Sequence, residues 1–522
     1  MRLFQSRLDR ESVTSQLIRL LFLAMMIFIM GACLFLTHIA YACKQHTESN
    51  WVLLGCAVLG AGVIVPMVYF GIKKHGRCLD RWFIPISILA LFIQIFMTAQ
   101  YYFYTGWDVE VIVASALSGV DGSSIEQHGT YYSMYPNNLV LVTLFSWVAR
   151  FVAAIGLPEH AYFSLIVFQC LICCVTGMIL HYLVRHLSGN SFSAWIASAL
   201  YMLLVGLSPW VSIPYSDSVV LFFPTAILAV YIMMSRDGLT GFLRQFLIVV
   251  LSYFGYRIKP QAMVVLIAIV CYEIAGMFVL RTMKKKMEIK AVIKHTVLNA
   301  TGLVAAVLIC NMMAGDVEVD IDKNKAFGPS HFLMMGMNTE TFGVYYQNDI
   351  SLSWRMPTRE ERMKSNLTVT VERIKNMGPI GLAKQLIRKT LTNYNDGSFC
   401  WGGEGGFYRE ILPERQSIAS PFLRKVYYSP HLGQGYGQYN MAWINAVQAI
   451  WMLVLALTLC CAAFVREERL AVVMLSLIGI TLFEMLFEAR ARYLYCYVPI
   501  YILMASMGLN RVCEWVVTRT QR

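Results

Sequence analysis

Residues 17–41 read LIRLLFLAMMIFIMGACLFLTHIAY, an apolar run with a single arginine. A membrane-spanning helix needs about 20 such residues. This run is too long for a signal-peptide core and lacks a convincing small-residue cleavage site, so we interpret it as a retained span. The whole chain has the same character, with 57% hydrophobic residues, 14% charged residues and a mean hydropathy of +0.56. This composition predicts an all-α polytopic membrane protein.

Similar apolar runs recur along the chain. Apolar runs of about 20 residues are typical of spans, and such runs lie at 17–41, 51–71, 82–102, 160–184, 192–212, 218–235, 260–280, 295–314, 442–465, 468–487 and 493–510. A shorter run at 245–257 makes a twelfth. The fold prediction is therefore about 12 transmembrane helices.

The formal net charge of +12 would suggest a nucleic-acid partner in a soluble protein. Here the Lys and Arg residues fall in short loops between apolar runs, as membrane orientation requires, so we exclude nucleic-acid binding. The basic N-terminus, with Arg2, Arg7, Arg10 and Arg19, is assigned to the cytoplasm. Alternation then places these basic groups inside as well: Lys73, Lys74, Arg77 and Arg81; Arg185 and His186; Arg236 and Arg244; Arg281 and Lys284–Lys286; Arg466 and Arg469; Arg511, Arg519 and Arg522.

This alternation requires that the apolar stretch 138–155, which contains Arg150, does not cross the membrane completely. A re-entrant or interfacial helix after Tyr135-Pro136 satisfies the parity, whereas a full span would invert five later basic loops. We prefer the former. The chain then divides into an extra N-terminal hairpin (1–81), a transmembrane module (82–314) with a first outer loop (103–137), an extracytoplasmic loop or domain (315–440) and C-terminal transmembrane helices (441–522).

An acidic pair stands where the third span ends, in Tyr101-Tyr102-Phe103-Tyr104-Thr105-Gly106-Trp107-Asp108-Val109-Glu110. Carboxylates at a membrane boundary are costly to desolvate and usually remain where water, a cation or chemistry uses them. In the predicted topology, further polar groups reach this same outer face: Asp217 after Ser216, Arg257 and Lys259 before Pro260, and Glu488, Arg490 and Arg492.

Acids beside cations at one membrane face suit a lipid-linked phosphate. Arg binds phosphate bidentately and Lys neutralises it as a point charge, while an acid can take a proton from an attacking hydroxyl. Simpler interpretations remain open. Arg490, Arg492 and Lys259 could be snorkelling anchors, Asp217 a helix cap, and Glu110 a solvated helix residue.

These positions together resemble the GT-C superfamily of membrane glycosyltransferases, especially the protein O-mannosyltransferase and aminoarabinose transferase type (bacterial glycosyltransferase family 39-like). The resemblance covers roughly residues 80–280, with Glu488–Arg492 similar to the arginine-bearing C-terminal span of some bacterial members. It rests on the acid after a span, the Tyr-Pro and Ser-Asp elements and the Lys-Pro dipeptide: Asp108, Tyr135-Pro136, Ser216-Asp217 and Lys259-Pro260.

The resemblance implies an extracytoplasmic site in an integral protein of a bacterial cell membrane. A polyprenyl-phosphate sugar would be the donor, and a glycan, lipid or protein the acceptor. Asp108, with Glu110, would be catalytic; the phosphate would lie on Lys259, Arg257, Arg490 and Arg492; Asp217, Tyr135 and Glu488 would support them. Some relatives use a divalent cation, for which Asp108, Glu110, Asp217 and Glu488 could supply oxygen ligands. Two extra N-terminal spans depart from the family pattern.

Two other classes compete with this hypothesis. A flippase or transporter of lipid-linked saccharide would also need cations at membrane depth, but it would favour internal symmetry and charges near the midplane. A non-catalytic relative that only binds a lipid-linked sugar is the third hypothesis.

Overall fold

The computed structural model describes residues 12–282, 289–433 and 435–520, and almost all of its regular structure is helical. Ten helices within this described part are long and apolar enough to cross a membrane: Val13–Phe35, Asn50–Ile72, Cys78–Tyr101, Pro136–Ala154, Pro158–Ser188, Ser216–Met233, Gly238–Ile258, Val297–Gly315, Asn440–Phe464 and Ala491–Arg519. Three shorter apolar helices accompany them: Ser191–Gly206, Pro260–Gly276 and Leu470–Leu486. The predicted all-α multi-pass architecture is confirmed, but twelve full-length spans are not.

Some helix boundaries differ from the prediction because helix-breaking residues end the helices. The predicted span 192–212 is a helix over Ser191–Tyr201 with a π-helical turn, Met202–Gly206, and it stops before Ser208-Pro209 because proline cannot continue the helical ladder. Conversely, the short run 245–257 belongs to a full helix, Gly238–Ile258.

Further helices join these candidate spans, one of them 36 residues long. They are the helices Trp107–Asp121, Gly129–Met134, Pro329–Gly336, Gln347–Arg355, Arg359–Tyr394 and Ala419–Tyr427. A two-stranded antiparallel sheet pairs Tyr104–Thr105 with Tyr408–Glu410. This sheet ties the first long loop to the later polar segment.

The first long loop begins and ends at one face of the helical bundle. Tyr162 Oη donates to the carbonyl of Phe103 at 3.0 Å, so the start of Pro158–Ser188 lies beside the end of Cys78–Tyr101. At the other end of the same two helices, Arg185 pairs with Asp80 at 3.5 Å. The two helices are antiparallel, and residues 102–160 therefore return to the face they left.

The helical segment Pro136–Ala154 is long and apolar enough to cross a membrane, yet its contacts lie beside this face. Its Thr143 Oγ1 donates to the carbonyl of Met313 at 2.6 Å, and Trp147 Nε1 donates to Asp316 at 3.3 Å. Both partners lie at the end of Val297–Gly315 that is near Lys259, since Arg257 Nη1 donates to Asn311 at 3.0 Å. These contacts place the helix beside the end of Val297–Gly315 that is near Lys259, and the interfacial arrangement of 138–155 stays a prediction.

The predicted sidedness rests partly on basic residues that the structure does not describe. Arg2, Arg7, Arg10, Lys284–Lys286 and Arg522 lie outside the described residues, and so do the side chains of Lys73, Arg77 and Arg281.

Candidate functional site

Asp217 is the centre of a buried ion-pair cluster. It lies at the start of the helix Ser216–Val220, and its two carboxylate oxygens contact different cations. Oδ1 pairs with Lys259, and Oδ2 lies 3.2 Å from Arg492 Nη1. Lys259 stands where Gly238–Ile258 ends before Pro260, and Arg492 follows an extended Arg490. Three separate helix ends thus meet here.

Glu404 continues the cluster. It pairs with Arg490, and its Oε2 lies 2.6 Å from Arg492 Nε. Arg490 Nε also donates to Glu488 Oε1 at 3.0 Å. Asp217, Glu404 and Glu488 therefore hold three cations, all in buried or nearly buried positions. Burial of paired charges costs desolvation, so a buried cluster of this size makes this region the candidate functional site.

Asp108 adjoins this cluster without joining its ion pairs. It lies in the first turn of Trp107–Asp121, and its Oδ2 accepts from Tyr215 Oη at 3.2 Å. Arg492 connects the two groups, because its guanidinium lies over the ring of Trp107 at 4.4 Å. Within the described part of the chain, Asp108 forms no direct salt bridge.

Aromatic rings surround the cations. Lys259 lies over Tyr493 at 4.5 Å, and the rings of Trp107 and Tyr215 are 5.0 Å apart in an edge arrangement. Trp107 has a φ of +51°, which is strained for a bulky residue and places Asp108 directly after a left-handed turn. Such strain persists where the surrounding structure holds it, often at functional sites.

Burial is the main influence on the pKa of Asp108 and of Glu488, two site acids that lie outside the spans. It raises the pKa of Asp108 above its ordinary value, against the opposing effects of Arg492 and the Tyr215 hydroxyl. It also raises the pKa of Glu488 to about 7, again opposed by Arg492. Asp108 is accordingly a stronger base than an exposed aspartate, and Glu488 titrates near neutral pH.

Three predicted site residues lie outside this cluster. Glu110 pairs with Arg409 on a half-exposed surface, where it supports the small sheet. Arg257 turns away from Lys259 and donates to Asn311, at 3.0 Å. Tyr135 packs its ring against Tyr131 and Phe327, with centroids 5.3 and 5.5 Å away.

The carboxylates considered as cation ligands do not come together as a ligand set. Asp217 and Glu488 are engaged by cations, and Glu110 faces Arg409. Among the described residues, the group whose ligand atoms do lie close together is Cys43, Cys400 and Glu404.

Sequence reasoning missed Glu404, Tyr215 and Tyr493 as site residues. Glu404 is the only acid in Cys400-Trp401-Gly402-Gly403-Glu404-Gly405-Gly406, and it lies in a π-helical turn, Trp401–Gly405. That isolated acid among glycines was the available signal. The tyrosines gave none, because aromatic residues are common at membrane boundaries.

Comparison with known proteins gives a family. The family model described as "Conserved hypothetical integral membrane protein" matches residues 11–513, and the chain belongs to this family. No curated protein matches it. The archaeal oligosaccharyltransferase AglB from Archaeoglobus fulgidus, solved with an inhibitory peptide and a dolichol-phosphate, overlaps at a TM-score of 0.39 and 12% identity. The overlap covers 83% of this chain and 51% of that protein's length, and at this TM-score it is too loose to carry an argument.

Proposed function

We propose that this member of the conserved integral membrane family is a GT-C-type glycosyltransferase. It transfers a sugar from a polyprenyl-phosphate donor to a hydroxyl-bearing acceptor of the cell envelope at the extracytoplasmic face. The observation that supports this most is the pairing of a partly buried acid, Asp108, with an adjacent cluster of three cations, Lys259, Arg490 and Arg492.

The two charge types match two requirements of the reaction. The acceptor oxygen attacks the anomeric carbon from the face opposite the phosphate, and the bond from that carbon to the phosphate oxygen breaks with inversion. The acceptor proton passes to Asp108, which is a general base in this role. The leaving polyprenyl phosphate gains one negative charge, which Lys259 and Arg492 stabilise.

The aromatic rings contribute to donor binding. Trp107 and Tyr493 already hold Arg492 and Lys259 by cation–π contacts. Tyr215 orients the Asp108 carboxylate through its hydroxyl. In this assignment Asp217, Glu404 and Glu488 position the cations.

The test is sugar transfer from a radiolabelled polyprenyl-phosphate donor by purified protein in lipid. Asp108→Asn keeps the size of the side chain but removes its basicity, and we expect transfer to fall by roughly 100-fold or more. Donor binding should stay within about threefold, because the cations remain.

Glu110→Gln is the matched control. It lies on the same helix, but its pair with Arg409 is half exposed, and such pairs contribute at most about 1 kcal/mol. We expect it to retain most of the transfer rate. Full transfer activity in Asp108→Asn would refute the assignment of Asp108 as the general base. If the protein moved the donor across the membrane of sealed vesicles and transferred no sugar, it would be a transporter.

A further inference from the structure

Two cysteine thiols lie beside Glu404, one of the acids of the cation cluster. Cys43 belongs to the loop between Val13–Phe35 and Asn50–Ile72, and Cys400 precedes the π-helical turn Trp401–Gly405. Their sulfur atoms and a carboxylate oxygen of Glu404 all lie within 4.8 Å of one another. Parts of the chain distant in sequence thus bring two sulfurs together beside a residue of the site.

The backbone on both sides is arranged for this approach. Cys43 has a φ of +58° and Cys400 a φ of +65°, a left-handed conformation that residues with a β-carbon rarely adopt. Glycines let the two segments meet, because a β-carbon on Gly402 would lie 2.3 Å from Gln45 Oε1. A β-carbon on Gly403 would lie 3.0 Å from Cys400 Sγ and 3.9 Å from Cys43 Sγ.

A metal ion fits this group poorly. Zinc usually takes four ligands, of which a structural site supplies all. Here Glu404 is already engaged on both oxygens by Arg490 and Arg492. Two guanidinium groups would also repel a divalent cation. The two thiols are then left with each other as partners.

We propose that Cys43 and Cys400 form a disulfide in the mature protein, which anchors the turn that carries Glu404 to the first loop of the chain. The two sulfur atoms are not bonded to each other in this structure. The bond itself does not depend on the proposed function. Its expected compartment does, because the proposed site faces the oxidising, extracytoplasmic side of the membrane.

The oxidant is a protein or small molecule that carries a disulfide. The Cys43 thiolate attacks one sulfur of that disulfide, forms a mixed disulfide and releases one thiolate. The Cys400 thiolate then attacks the sulfur of Cys43 and releases the second. Two thiols are oxidised, one external disulfide is reduced, and the two protons go to the released thiolates.

The electrostatic surroundings help the first step. A hydrogen bond with Cys400 lowers the pKa of Cys43, against the effect of burial, and the field of Arg490 acts in the same direction. Cys43 is only partly buried, whereas Cys400 is fully buried. Cys43 is therefore the accessible thiol that meets the oxidant, and Cys400 is the resolving thiol.

The test is differential alkylation of the full-length protein, trapped with acid in intact cells. Denatured protein is alkylated with a light reagent, reduced, and alkylated again with a heavy form. Peptides that contain Cys43 and Cys400 should carry at least tenfold more heavy than light label, whereas Cys170 and Cys496 should carry light label. Light label on both Cys43 and Cys400 would overturn the proposal.

Two further arms separate a disulfide from its alternatives. In the Cys43→Ser variant, Cys400 loses its proposed partner, so its peptide should carry light label. Heavy label on Cys400 in this variant would mean that Cys400 forms a disulfide with another cysteine. The second arm alkylates the native protein. If Cys43 and Cys400 were protected from alkylation, and a zinc chelator but not a reductant removed this protection, the site would be a metal site and the proposal would be overturned. Because the labels report the bond directly, loss of sugar transfer and loss of the disulfide remain distinguishable.

Discussion

Glu488 is the residue whose protonation changes the charge of the site near neutral pH. Its pKa is raised to about 7 from an ordinary value of 4.5, chiefly by burial. Below pH 7 it is neutral, so Lys259, Arg490 and Arg492 exceed the carboxylates of Asp217 and Glu404 by one charge. Above pH 7 Glu488 becomes an anion and competes with the donor phosphate for Arg490.

The expected result is a donor KM that rises between pH 6 and pH 8, by about tenfold if one charge-assisted hydrogen bond of roughly 1.4 kcal/mol is lost. In Glu488→Gln the rise should disappear. The measurement is KM for the donor against pH in both proteins. A rise of equal size in the Gln variant would exclude Glu488 as its cause.

The same shift has a consequence for folding. Because the folded state holds the Glu488 proton more tightly than the unfolded state, its contribution to stability is full below pH 4.5 and is lost as the pH rises through about 7. Thermal unfolding in detergent should therefore show a smaller loss of stability over this interval in Glu488→Gln than in the unchanged protein.

Lys259 and Arg257 are neighbours in sequence with different positions in the structure. Lys259 pairs with Asp217 inside the cluster, whereas Arg257 contacts Asn311 outside it. Lys259→Ala should weaken donor binding by about tenfold or more, since the lost charge is buried. Arg257→Ala should change it by less than about threefold.

Donor affinity by titration, with thermal stability measured in parallel, checks this contrast. Equal losses in the two variants would assign the phosphate to both cations. A loss of stability in Lys259→Ala that tracks its loss of affinity would make Lys259 a structural partner of Asp217 only.

The sequence predicted Asp108, Asp217, Lys259, Arg490 and Arg492 because each lies at the end of an apolar run. The alternation of loop charge then assigned those ends to one face. The sequence did not distinguish the role of Arg257 from that of Lys259, because the direction of a side chain at a helix end depends on tertiary packing. It did not identify Glu404, since periodicity carries no information in a glycine-rich turn.

Among the secondary-structure elements, the segment 395–406 depends most on close backbone packing. A β-carbon on Gly397 would lie 2.5 Å from the carbonyl oxygen of Val447 and 2.8 Å from Trp451 Cβ, both on the helix Asn440–Phe464. Because Val447 and Trp451 are buried in that helix, the segment would have to move. The movement would displace Glu404 from Arg490 and Arg492.

We therefore expect Gly397→Ala to destabilise the protein by about 1–3 kcal/mol and to reduce transfer. Gly328→Ala is the control, because a β-carbon there meets nothing within 4 Å and its φ is −112°. Thermal unfolding and transfer rate would be measured for both. A Gly397→Ala protein with unchanged stability and rate would show that the segment tolerates displacement.

At the scale of the whole molecule, the proposed site requires that its segments share one side of the membrane. Residues 102–160 leave and rejoin one face, and Ser216 and Lys259 lie at that face too. The connection around Asp237, between two helices that both have their other ends at the site, must then lie at the opposite face. This pattern could be predicted from loop charge only because 138–155 was treated as interfacial.

Cysteine labelling can test this arrangement. Ser124 and Glu159 are exposed and lie on either side of the helix Leu139–Ala154. In a background whose exposed cysteines are replaced, Ser124→Cys and Glu159→Cys should both react with a membrane-impermeant maleimide added to intact cells. Asp237→Cys should react only after permeabilisation.

If Ser124→Cys and Glu159→Cys reacted from opposite sides, the helix between them would cross the membrane. The parity that places Asp108 and Lys259 at one face would then fail, because Lys259 follows that helix in the chain.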